Sequence, residues 1–85
     1  MRLIIGQYEV IWLYLRRVYE LREDHDLTKK AVAEYLGIHP TVYSRYEKGV
    51  RDFPVEIIIK LADYYHVSTD YLLGRTDDPT PPRGV

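Results

Sequence analysis

The sequence predicts an all-α domain of five short helices, and three observations predict it. Apolar residues recur at three- and four-residue steps along most of the chain. Helix-starting residues (Thr28, Pro40, Pro54, Ser68) and helix-stopping glycines (Gly37, Gly49, Gly74) punctuate that pattern. Between Leu27 and Gly49, two helical stretches are separated by a turn of only a few residues.

The first helix is expected from Tyr14 to Asp24, with Leu15, Val18, Leu21 and Arg22 facing inward and acidic residues near its end. Thr28 opens the second, because its hydroxyl can accept a hydrogen bond from an orphan N–H of the first turn. Val32, Ala33 and Leu36 follow at helical spacing, and Gly37 stands where a left-handed residue ends a helix. Pro40 opens the third, losing only an N–H that has no partner at that position, and Gly49 marks its end. Pro54 opens the fourth, whose Ile57, Ile58, Leu61, Ala62 and Tyr65 form a wide apolar stripe ended by His66-Val67. Ser68 or Thr69 caps a short fifth helix holding Tyr71, Leu72 and Leu73, stopped by Gly74.

Gly37 and Ile38 leave room for a short turn only, which forces the third helix to cross the second steeply at the small Ala33. If Ala33, Ile38, Tyr43 and Tyr46 fill the inner side, then Thr41, Ser44 and Arg45 face outward, where they can reach base edges. Thr41, Arg45 and Lys48 fall at i, i+4 and i+7, one row of polar and basic side chains.

The stretch LTKKAVAEYLGIHPTVYSRYEKG, from Leu27 to Gly49, resembles the DNA-binding core of the Xre family, the phage-repressor-like (Cro-like) helix-turn-helix regulators of bacteria. Leu21-Arg22-Glu23 before it and LADYYHVSTDYLLGRTD after it are similar to that family's flanking helices, so the resemblance spans about residues 14 to 78. It implies a compact five-helix phage-repressor-like DNA-binding domain. It also implies base contacts from Thr41, Ser44 and Arg45. Lys29 stands where the family usually has a phosphate-facing glutamine, and a lysine there adds a point charge. Thr28, Lys48 and Arg51 are further candidates for phosphate contact. A buried ion pair between Arg22 and Glu47 is implied as well, the alternative being a solvated Glu47.

Two positions depart from the family pattern. His39 stands where serine or threonine usually caps the recognition helix, and it is either a phosphate contact or an ordinary turn residue. Pro40 replaces a polar residue that often reaches DNA. Base reading is then expected to shift toward Thr41, Arg45 and an apolar contact from Val42 to a thymine methyl.

The net charge of −1 is unevenly spread. Residues 28–51 carry five basic and two acidic side chains between two acidic flanks, a local basic face suited to phosphates. The absence of cysteine removes disulfides, thiolate metal sites and cysteine nucleophiles, and fits a cytoplasmic setting. No metal site or cofactor is expected, since His25, His39 and His66 lack a converging spacing and no glycine-rich phosphate loop is present. Enzymatic function is not expected. The apolar run from Val10 to Leu15 is too short to span a membrane, and no signal peptide is evident.

The domain is expected over residues 14–75. Residues 1–13 form an apolar extension that lengthens the first helix, runs extended, pairs two subunits through Trp12, or folds back onto its own domain. Residues 76–85, with three prolines, are expected to be a disordered tail. A domain this small buries only about 60% of its unfolded surface, so a homodimer would help it. The expected function is that of a sequence-specific transcriptional regulator, a repressor, placing helix 40–48 in the major groove of double-stranded DNA as a dimer. The alternative is a protein-interaction module, such as an antitoxin-like partner of another protein.

Overall fold

A computed structural model describes residues 15–82. The expectations for residues 1–13, and the start of the first helix at Tyr14, lie outside the described residues. Five helices follow one another: α1 (Arg16–Asp24), α2 (Lys29–Leu36), α3 (Pro40–Glu47), α4 (Val55–Tyr65) and α5 (Thr69–Leu72). No strand occurs among the described residues. Leu15 is extended and precedes α1 as its N-cap, and Leu73 caps α5 instead of continuing it.

Every one of these helices ends in the same device. A residue with positive φ follows the last turn, at Asp26, Gly37, Gly49, His66 and Gly74 in turn. Its N–H, and that of the next residue, bond back to carbonyls of the last turn: Gly37 to Glu34 and Ile38 to Ala33 after α2, His66 to Asp63 and Val67 to Ala62 after α4. These are Schellman closures, which satisfy carbonyls that otherwise lack partners. The residue after the positive-φ position returns an apolar side chain to the domain at Leu27, Ile38 and Val67.

The core is assembled from the inward residues of the five helices together with Leu15, Phe53 and Val67 from the segments beside them. Leu15, Val18, Val32, Ala33, Leu36, Tyr43, Phe53, Ile57, Ile58, Leu61, Ala62, Tyr65, Val67 and Leu72 are buried together. Ala33 is fully buried where α2 meets α3, and its single methyl lets the two backbones approach. The α2–α3 contact thus rests on a small residue, two caps and one glycine.

Residues 76–82 depart from the expected disordered tail and lie against the domain. The Ser68 N–H donates to the Pro79 carbonyl at 3.0 Å. The Arg17 guanidinium donates to the carbonyls of Tyr71 and Thr76, pairs with Asp77 and lies over the Tyr71 ring at 4.1 Å from its centroid. One cation with several acceptors gathers the segment, and prolines reduce the entropy lost in ordering it.

Candidate nucleic-acid interface

The site begins with two caps. The Thr28 hydroxyl accepts from the Ala31 N–H at 3.0 Å, starting α2. α3 is started by His39, whose Nδ1 accepts from the Thr41 N–H at 3.1 Å, with Pro40 in the first turn. His39 therefore performs the capping usually done by serine or threonine. Because Nδ1 acts as acceptor, the ring proton resides on Nε2, which leaves an exposed donor at the start of α3. The signal for this role was its place in the sequence, one residue before a helix-opening proline.

α3 divides its residues by depth. Tyr43 and Glu47 are buried, Val42, Ser44 and Tyr46 half-buried, and Thr41, Arg45 and Lys48 exposed in one row. Tyr46 packs on Phe53 with ring centroids 5.5 Å apart. Ser44, expected on the outward face, stands at the α2–α3 junction with Lys29 Nζ 3.5 Å from its Oγ. Its hydroxyl is directed at least partly toward the neighbouring helix, because α2 begins beside it. Arg51 is exposed in the loop after α3, and its N–H and that of Val50 both bond to the Arg45 carbonyl, which fixes that loop to the end of the helix.

Beneath this surface lies a buried charged network. Arg22 Nε donates to Glu47 Oε2 at 2.8 Å and Arg22 Nη2 to Oε1 at 3.0 Å, a two-pronged pair joining α1 to α3. Arg22 Nη1 donates to the Leu27 carbonyl at 2.9 Å, so the same guanidinium also holds the α1–α2 turn. The Tyr43 hydroxyl donates to Glu47 Oε2 at 2.6 Å. Sequence reasoning placed Tyr43 in the core without this bond, though its i, i+4 spacing to Glu47 was a signal for it. The Glu47 hydrogen bonds hold the Arg22 guanidinium above its ordinary range. Burial, then the bond to Glu47, pushes the Tyr43 phenol well above its ordinary value.

With Glu47 engaged inward, the one acid of α3 offers little repulsion to a polyanion. Lys29, half-buried at the start of α2, and Lys48, at the end of α3, share an open concavity of about 460 Å³ with Tyr19, Arg22 and Glu47. Among the described residues no group of three or more histidine, aspartate or glutamate side chains converges as a metal site. No helix among them is long and apolar enough to cross a membrane.

Comparison with known proteins agrees with this geometry. Residues 18–72 match the helix-turn-helix family model. The chain is 42% identical over 69 residues to the HTH-type transcriptional regulator YobD of Bacillus subtilis, covering 81% of this chain and 62% of that protein. It is 33% identical over 65 residues to the cryptic phage CTXphi transcriptional repressor RstR of Vibrio cholerae, covering 76% of this chain and 59% of that one. A transcriptional regulator from Listeria innocua, solved by crystallography, superposes with a TM-score of 0.68 at 28% identity, over 76% of this chain and 61% of that chain. The chain thus spans about three fifths of the length of these relatives. Five helices in this order, with the match running from α1 through α5, place the chain in the helix-turn-helix family.

Proposed function

We propose that this chain is a sequence-specific DNA-binding transcriptional regulator, acting as a repressor in the cytoplasm and as a homodimer on a two-fold-related site. The observation that carries this reading is the division of α3: Thr41, Arg45 and Lys48 are exposed in one row, while Glu47 is turned inward onto Arg22. α3 enters the major groove, with Arg45 and Thr41 reading base edges, Val42 touching a thymine methyl, and Ser44 at the margin of that surface. Thr28, Lys29, His39, Lys48 and Arg51 contact phosphates, His39 through its Nε2–H.

Selection of bound duplexes from a random pool tests the reading. A palindromic site is expected, its half-site spacing reporting the dimer geometry. Absence of enrichment at low salt refutes it. On the selected site, Arg45→Ala lowers affinity by about 1–3 kcal/mol without lowering the melting temperature, and unchanged affinity removes Arg45 from the reading surface.

A further inference from the structure

The concavity at the end of the recognition helix contains one residue to which the proposed interface gives no role. Tyr19 belongs to α1, outside the helix-turn-helix, yet its ring lines the same hollow as Lys29 and Lys48. It is 41% exposed, and its hydroxyl makes no hydrogen bond among the described residues. The Arg22 guanidinium lies 5.7 Å from its ring centroid, which seats the ring beside the buried pair.

The electrostatics of the hollow define what it can receive. Among the described residues five side chains line it, and the Glu47 carboxylate is already engaged by Arg22 and Tyr43. The charges of Lys29 and Lys48 remain on its wall, and the partner of the Lys29 ammonium among the described residues is the neutral Ser44 hydroxyl, 3.5 Å away. Such a wall of two ammonium groups and a phenolic donor suits a phosphodiester oxygen.

We propose that Tyr19 is a DNA-backbone contact supplied by α1, closing this hollow on one phosphate opposite Lys29 and Lys48. The proposal rests on the DNA-binding reading above and widens the footprint beyond the helix-turn-helix. A backbone phosphate is common to every sequence, so the contact strengthens binding to all alike, and because a phenol carries no charge the counterion release is unchanged.

The experiment measures affinities of wild type, Tyr19→Phe and Lys48→Ala for the selected duplex and for an unrelated duplex across a salt series. Tyr19→Phe is expected to weaken both duplexes by about tenfold with an unaltered salt slope and an unaltered melting temperature. Lys48→Ala instead makes the slope shallower by about 1. A scan of single methylphosphonate substitutions in the selected duplex supplies a readout that a structural role would not move. At one phosphate the substitution and Tyr19→Phe are each damaging but not additive. Wild-type affinity in Tyr19→Phe, or additivity at every phosphate, overturns the proposal while leaving the DNA reading intact. Failure of the wild type to bind any duplex overturns the DNA reading, and this proposal with it.

Discussion

Replacing Glu47 with leucine should cost this domain as much stability as truncating a large buried apolar side chain. Glu47 is only 5% exposed and accepts three hydrogen bonds, from Arg22 Nε, Arg22 Nη2 and the Tyr43 hydroxyl. Glu47→Leu fills much of the same volume but takes the two-pronged partner from the Arg22 guanidinium, 8% exposed, leaving the exposed Glu23 carboxylate, 3.4 Å from Nη2, as its charged partner among the described residues. Breaking a buried pair from one side costs about 3–5 kcal/mol, against a total stability of roughly 5–15 kcal/mol for a small domain. At about 4 °C or more per kcal/mol for a domain of this size, the melting temperature falls by at least about 12 °C. Removing both charges, in Arg22→Met with Glu47→Leu, deletes the buried ion instead of stranding it. The double variant should recover part of the loss, retaining about 1–3 kcal/mol for the unpaired Tyr43 hydroxyl until Tyr43→Phe is added. Urea denaturation followed by far-UV circular dichroism reads all of these variants. A cost below about 1 kcal/mol for Glu47→Leu, or a double variant as unstable as the single one, refutes the claim that the pair is desolvated.

Two further outcomes follow from the backbone and from the buried tyrosines. His66 closes α4 at φ 57° and ψ 48°, a left-handed conformation that costs a residue with a Cβ about 1–2 kcal/mol, so His66→Gly should stabilise the domain by about 1 kcal/mol; an unchanged or lower melting temperature contradicts this. Tyr43 and Tyr65 both have their phenols raised above the ordinary value of 10.0, chiefly by burial, so the folded state keeps protons that the unfolded state loses. Stability is then fully present below pH 10 and declines above it, by about 1.4 kcal/mol per pH unit for each tyrosine. The Tyr65 hydroxyl is buried without a partner among the described residues, so Tyr65→Phe should not destabilise the domain at neutral pH and should roughly halve that alkaline slope. An unchanged slope in Tyr65→Phe, measured by urea denaturation between pH 10 and 11, would show that its phenol titrates as in the unfolded chain.

The helices were legible in the sequence because their ends are written in local chemistry. Thr28, Pro40 and Pro54 start α2 to α4 where expected, and of the two candidates Ser68 and Thr69 it is Ser68 that caps α5, since a cap or a proline acts within one turn of itself. Gly37, Gly49 and Gly74 end helices for an equally local reason, the positive φ that glycine adopts without strain. The inward stripe of α4 was visible from its three- and four-residue steps. The Arg22–Glu47 pair was suggested by the family resemblance alone, because nothing local links two residues 25 positions apart.

What tertiary structure decided is whatever depends on one helix meeting another. Thr41 and Arg45 are exposed as their spacing suggested, but Ser44 is half-buried because Lys29, at the start of α2, lies beside it. Composition made residues 76–85 look like a disordered tail, whereas Arg17, some sixty positions earlier, gathers the Thr76 carbonyl and the Asp77 carboxylate of residues 76–82. Tyr19 is an unremarkable helical tyrosine in the sequence and becomes part of a basic hollow once α1 is laid beside the end of α3. By itself, then, the sequence determined the five helices and the residues that start and stop them, because backbone hydrogen bonds at helix ends are satisfied within a few residues. The depth of each side chain and the partners of each charge were decided by packing, because burial and desolvation exist only between segments far apart in the chain.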